Sequence, residues 1–239
     1  MTASKLYPAS VIKEIDRQYS QDYDISSFQL MKLAARRVVE VILTRYGDTK
    51  RAQVFCGSGN NAGDGFLVAA GLADRGWLVQ VALVGDPEKL TEASRDALAV
   101  CQNSQAIVEA FEGAVLDRAI LVDALLGLGV HGQIRSAYRS AITAINASSS
   151  AVVAVDLPSG LQPDSGEVGA VCVRAAITVT FLALKIGLFS QDGPDYAGEI
   201  ILADLGLPDI LLAKHADKAL RILEAPRLPA RQNKAHKGH

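Results

Sequence analysis

From Arg51 onward the sequence alternates short Val/Ile-rich runs with amphipathic segments, and this constrains the fold more than any other feature. AQVFC (52–56), LVQVALVG (78–85), AILVDAL (119–125), AVVAVDLP (151–158), AITVTFLAL (176–184) and GEIILADLG (198–206) read as strands, with a weaker one at AIVEA (106–110). Apolar runs of this kind fit strands covered on both faces. Residues 63–75, closed by Gly76, a segment from Thr91 to about Asn103, and residues 136–147 read as the intervening helices. Strands alternating with helices predict an α/β fold: a mostly parallel sheet in a three-layer arrangement.

Two helices are expected ahead of the first clear strand. One covers VIKEIDRQYS, with Ser10 as N-cap. The other covers FQLMKLAARRVVEVILTRYG, where Leu30, Leu33, Val38, Val41 and Ile42 form an apolar stripe and Gly47 ends the helix. They are expected to pack on the core or on a partner subunit. The chain of 239 residues is 49% hydrophobic and 21% charged, enough to build a core without disulfides or structural metal. Net charge is 24 − 26 = −2, which gives no electrostatic reason to expect nucleic acid or an anionic membrane as partner.

Cys56, Cys101 and Cys172 are odd in number and form no CxxC, so a reducing compartment is the default. The longest apolar run, Ala175–Phe189, is too short for a membrane span and contains Lys185. The N-terminus lacks a signal-peptide pattern. These features predict a soluble, cytoplasmic protein. One domain is expected over 1–225, followed by a basic tail over 226–239 with Arg227, Arg231, Lys234 and Lys237 and no acid.

Four motifs interrupt the strand–helix pattern with polar residues. CGSGNNAGDG (56–65) follows a strand and opens a helix, so its glycines permit close approach to a ligand and the helix N-terminus offers unpaired N–H groups. The GxGxxxG spacing is not the usual dinucleotide fingerprint, and the Lys and Ser/Thr of an ATP-binding loop are missing. A plain structural turn needs one polar side chain there, whereas this turn has Asn60, Asn61 and Asp64. Asp123 closes an apolar strand and reads as a ligand group or a cap. Asp156 ends another, and Pro158 and Gly160 hold Ser159 in a defined direction, as a site or as an Asx-type turn. Lys185 follows an apolar run that would depress its pKa, and acid–base work stands there beside a snorkelling surface role.

All four lie at carboxyl ends of expected strands, and in an open parallel sheet those ends share the ligand-binding edge. The oxygen ligands Asn61, Asp123 and Ser159 suit a hard cation, and one carboxylate among them favours a monovalent ion over calcium. Ser159 lies outside GxSxG, which argues against a hydrolase triad.

Taken in order, GSGNNAGDG, VDALLGLGVHG, VDLPSGLQPDSGEVG, the strand leading to Lys185 and DYAGEIILADLGLP resemble the YjeF N-terminal domain family of NAD(P)H-hydrate epimerases. LYPASVIKEIDR and LMKLAARRV resemble that family's leading helices, so the likeness covers roughly residues 5–210. It implies a Rossmann-like fold and epimerisation between the R and S forms of NADHX and NADPHX, the hydrated, damaged nicotinamide cofactors. It implies substrate contacts from Asn60, Asn61, Ala62, Gly63 and Asp64, from Gly127, Leu128, Gly129, Val130, His131, Gly132 and Gln133, and from Tyr138 and Asp156. It implies one potassium ion per subunit on Asn61, Asp123 and Ser159. Asp156 and Lys185 become the candidates for proton transfer near C6 of the damaged ring.

Further expectations are a homodimer and a fused or separate ADP- or ATP-dependent dehydratase that acts on the S form. His236-Lys237-Gly238 is similar to the opening of that dehydratase domain in bifunctional members, so the chain reads as the epimerase half of a longer protein. The sequence departs from the family at Ser58, where proline is common, at Ala62 for glycine, at Leu128 for threonine, and at Ala183-Leu184-Lys185 for APK. A non-catalytic nucleotide-binding or partner-binding module of the same fold is the competing reading. An ordinary NAD(P) oxidoreductase is disfavoured by the glycine spacing.

Overall fold

The computed structural model describes residues 5–129 and 133–221. In chain order these form β1 (Lys5–Tyr7), α1 (Ala9–Asp22), α2 (Ser27–Tyr46), β2 (Arg51–Cys56), α3 (Asn60–Ala73), β3 (Leu78–Leu83), α4 (Glu92–Gln102), β4 (Ile107–Ala110) and β5 (Ile120–Ala124). There follow α5 (Ser136–Ala147), β6 (Val152–Val155), β7 (Ile177–Phe181), β8 (Leu184–Lys185), α6 (Gly193–Ala197), β9 (Glu199–Ala203), α7 (Asp209–Lys214) and β10 (Leu220–Arg221).

Seven strands make one sheet in the order β4-β3-β2-β5-β6-β7-β9, and every pairing is parallel. The main core lies between the sheet and α1 to α4, and a second cluster joins the opposite face to α5 through Phe55, Leu121, Ile142 and Ile145. Both faces of the central strands are therefore covered, which is why their sequences are apolar at consecutive positions. The result is the expected Rossmann-like three-layer arrangement. β2 leads outward through β3 to β4, while β5 starts the run in the other direction. The topological switch point falls between β2 and β5, and a crevice opens there at their carboxyl ends.

The leading helices differ from expectation at their ends. Ser10 does not cap α1. The helix starts at Ala9, after Pro8, with no side-chain cap of its own. The Ala9 N–H instead donates to the Asp164 carboxylate at 2.6 Å, a tertiary partner that replaces a local cap. On α2 the capping box is formed by Ser26 and Gln29. Leu30, Val38, Val41 and Ile42 are buried as the stripe requires, but Leu33 is 40% exposed on the helix margin. α3 begins at Asn60, three residues earlier than the glycine pattern suggests.

Lys185 does not end β7. The chain leaves the large sheet at Phe181 and passes through Leu182, whose φ is +64°. It then forms β8, which belongs to a separate three-stranded sheet of order β10-β1-β8. There Leu6 pairs with Leu184 and Tyr7 with Lys185. Nothing in the local sequence marks these two- and three-residue strands, because their pairing is set by tertiary packing. The tail over 226–239, with its His-Lys-Gly sequence, and Val130, His131 and Gly132 of the expected substrate loop lie outside the described residues.

Candidate active site

The cleft at the switch point is built from the ends of β2, β5, β6 and β7, and α1, α2 and α3 lean over it. Gly57 begins it. A Cβ there would stand 2.0 Å from the Leu125 carbonyl oxygen, so only glycine lets the β2 and β5 exits approach this closely. Gly59 is the N-cap of α3 and contributes no side chain. The start of that helix has no side-chain cap, and Gly59, Asn60 and Asn61 line the cleft there. Asn60 accepts a hydrogen bond from the Thr91 hydroxyl at 2.8 Å, and the Ser58 and Tyr138 hydroxyls lie 3.1 Å apart across the opening.

Two adjoining lobes, of about 480 and 140 Å³, are both lined by Asn60, Asp64, Leu128, Asp156 and Phe181, and both touch Lys13 and Asp16 of α1. Lys185 lines the smaller lobe, and Asn61, Gly127, Gly129 and Tyr138 line the larger. The combined size is that of a small-molecule site. Gln133 lines a neighbouring cavity with Tyr138. Ala62 and Gly63 are not in the lining. Ala62 is buried in the core, and a Cβ on Gly63 would press on the Met31 sulfur at 2.7 Å, so this part of the motif serves helix packing.

At the floor, Lys185 is wholly buried and Asp156 is 8% exposed. Lys185 Nζ donates to Asp156 Oδ1, to Thr180 Oγ1 at 2.8 Å and to the Phe181 carbonyl at 2.8 Å, which uses its three protons. The same carboxylate oxygen accepts from the Phe181 N–H at 3.1 Å. Asp156 has φ +69°, an uncommon conformation for a residue with a side chain. Strain of this kind survives where surroundings impose it. Here the Asp156 N–H donates to the Val179 carbonyl at 2.8 Å, and Gly160 turns the chain back at φ +106°.

Burial lowers the Lys185 pKa, and the Asp156 charge opposes that shift. Asp64 sits close by, and burial, then the charges of Asp156 and Asp16, push its carboxyl well above the ordinary range, with Lys185 opposing. One buried lysine thus faces two carboxyls, and burial favours the protonated form of Asp64, the kind of setting found at acid–base sites.

Asp123 forms a second polar knot deeper in the sheet. Its Oδ1 accepts from the Ser159 hydroxyl at 2.6 Å and the Leu125 N–H at 3.2 Å, and its Oδ2 accepts from the Ser159 N–H at 2.7 Å. Ser159 Oγ in turn accepts from the Leu126 N–H at 2.9 Å, and Asn61 Nδ2 donates to the Leu126 carbonyl at 2.9 Å. The three residues expected to share an ion are therefore brought to one place. Asn61 Oδ1 is buried there without a hydrogen-bond partner among the described residues. Desolvation pushes the Asp123 pKa up to about 6 despite its hydrogen bonds. An orphaned amide oxygen and a buried carboxylate with no cationic partner among the described residues fit a hard cation of low charge.

Asp16, Lys13, Ser27 and Met31 line the cavity without having been singled out by motif. No motif marks Asp16 in the sequence. It lies on the margin of the face that carries Ile12, Ile15 and Tyr19, which is buried.

Fold and site together define an open-sheet α/β protein with an acid–base cleft at its switch point. The chain belongs to the family described as YjeF-related protein N-terminus, whose profile matches residues 27–187. It is 38% identical over 205 residues to a protein of Limosilactobacillus reuteri named NAD(P)H-hydrate epimerase, with 84% of this chain and 96% of that protein covered. It is 37% identical over 239 residues to a protein of Coxiella burnetii named bifunctional NAD(P)H-hydrate repair enzyme, with 98% of this chain and 48% of that protein covered. The chain spans about half the length of its bifunctional relatives. In fold it is similar to the crystal structure of the yeast protein YNL200c, with a TM-score of 0.77 at 18% identity, covering 91% of this chain and all of that one.

Proposed function

We propose that this protein is an epimerase that interconverts the R and S forms of hydrated NADH and NADPH in nicotinamide cofactor repair. The observation that carries the reading is the buried Lys185–Asp156 pair at the switch-point cleft, in a chain that matches nearly the whole of a relative named for this activity. Inverting C6 of the hydrated ring means breaking and remaking a bond at that carbon, and a proton must be given and taken. Asp156 is the group at the cleft floor that takes part in this transfer. Lys185, with all three protons engaged, fixes the Asp156 carboxylate in place and holds its charge.

Substrate phosphates are received by the N-terminus of α3, where N–H groups and helix dipole favour an anion. Asn60, Asp64, Gly127 to Gly129 and Tyr138 shape the rest of the site. Asn61, Asp123 and Ser159 would hold potassium, which supplies positive charge beside the buried Asp123 and secures the Leu125–Gly129 turn. Three buried free cysteines suit a reducing, cytoplasmic setting. The remaining expectations are a homodimer and a dehydratase, fused or separate, that consumes the S form. A module that only binds nucleotide would have no use for an ion pair sunk beneath its cleft.

The test is a coupled assay. R and S NADHX are mixed with an S-specific dehydratase, and this protein is added with and without potassium. The R form should disappear at a rate set by the protein and raised by potassium. Consumption of only the S half, with the R form decaying at its background rate, would overturn the reading.

A further inference from the structure

The cavity holds an acid that the Lys185–Asp156 pair leaves unused. Asp16 stands on α1, on the wall that faces the strand ends, and touches both lobes. Its helix is firmly seated. Ile12, Ile15 and Tyr19 are buried, Asp164 holds the helix start, and the Tyr19 hydroxyl donates to the Gly206 carbonyl at 3.0 Å. The position of Asp16 over the cleft is therefore fixed by packing. Yet no described residue hydrogen-bonds its carboxyl. The neighbouring Arg17 is turned to Glu14, at 2.6 Å, so Asp16 is not half of a surface ion pair. The charged groups that share the cavity with it are Lys13 on its own helix, Asp64 on α3, Asp156 after β6 and Lys185 on β8. Asp16 is exposed along the rim of the cavity, and there partial desolvation, then the Asp156 charge, raise its pKa.

We propose that Asp16 is the second acid–base residue of the reaction, acting on the face of the hydrated ring opposite to Asp156. This deepens the epimerase reading and rests on it. Inversion through a planar C6 takes departure on one face and addition on the other, and a proton-transfer group on each face assists both halves. On one face the C6–O bond breaks. A carboxyl proton passes to the hydroxyl, which leaves as water, and the lone pair of N1 closes a C6=N1 bond. On the other face a water adds to C6, the π electrons return to N1, and the proton lost by the water goes to the other carboxylate. One proton has moved from one carboxyl to the other, and the hydrate is recovered inverted. Starting from the other epimer, the two acids exchange roles. Asp16 is in contact with solvent, so bulk water resets the pair between turnovers.

The experiment compares the full chain with Asp16→Asn and Asp16→Glu in the coupled assay from pH 5 to 9, with melting curves for all three. Asp16→Asn should turn over at least about 100-fold more slowly, with KM within about threefold of the parent and one limb of the pH–rate profile gone. Asp16→Glu should recover at least about a tenth of the parent rate and shift that limb. If Asp16→Asn melts early, Asp16→Glu carries the test through the same shifted limb. An Asn variant with the parent rate and profile would overturn the proposal. So would slow Asn and Glu variants with a raised KM and an unchanged profile shape, which would make Asp16 a packing or binding group. An inactive parent chain would overturn the epimerase reading, and an active parent with an indifferent Asp16 would overturn this proposal alone.

Discussion

At the scale of single residues, the site is a problem of where protons sit. Asp64 has its pKa raised in the folded chain, first by burial and then by Asp156 and Asp16. In the unfolded chain it ionises near 4. Below that value both states are protonated and the group is neutral in the balance. As pH rises above it, the unfolded chain releases the proton first, so the folded state loses relative stability. Asp64→Asn removes the ionisation and accepts a similar shape. The variant should therefore match the parent in urea unfolding near pH 4 and become progressively more stable than it toward pH 8. A constant difference across that range would mean that Asp64 is ionised in the fold. Asp123 and Asp156 were legible in the sequence because each is a carboxyl closing an apolar run, and Asp64 because it shares one glycine-rich turn with Asn60 and Asn61. Asp16 was not, because it sits among Glu14, Arg17 and other helical polar residues, and only the packing of Ile12 and Ile15 turns it toward the cleft.

At the scale of elements, the cleft depends on how closely β2 and β5 can leave the sheet together. Gly57 is the residue that permits it, with the Leu125 carbonyl where a side chain would stand. Gly57→Ala should force the two exits apart and move the turn that carries Leu126, whose N–H meets Ser159. The expected result is a loss of about 1–3 kcal/mol in stability, as for overpacking a tight interior. The proposed stimulation by potassium should then be lost, since the same turn brings Asn61, Asp123 and Ser159 together. Denaturant melts and rates with and without potassium check both parts, and retained stimulation would separate the ion from this turn. The element pattern itself was readable wherever burial on two faces produced a run, as at Val152–Val155. It failed where partners are distant. The first N–H of α1 donates to Asp164, and β8 owes its existence to Leu6 and Tyr7, so neither start could be seen in the neighbouring residues.

At the scale of the whole molecule, the two ends of the described chain meet in the small sheet that carries Lys185. β1 lies between β8 and β10, antiparallel to β10 with Lys5 opposite Arg221, and parallel to β8 with Tyr7 opposite Lys185. The small sheet is thus a clasp. It draws the lysine out of register with the large sheet and sets it under Asp156, and it anchors α1, which brings Asp16 over the same cavity. Residues before α1 then matter to chemistry they do not touch. Removing residues 1–8 deletes the buried Leu6 and Tyr7, worth about 2 kcal/mol each by area, or about 4 kcal/mol in all. For a chain of this size that lowers the melting point by roughly 10 °C. The rate should fall further than this accounts for. Assayed well below its midpoint, where the fold is still populated, the shortened chain should turn over at least about tenfold more slowly, because a reacting group displaced by 1 Å costs more than its stability shows. A shortened chain that melts early but keeps the full rate would mean that the β7–β8 turn alone positions Lys185, and that the clasp serves stability only.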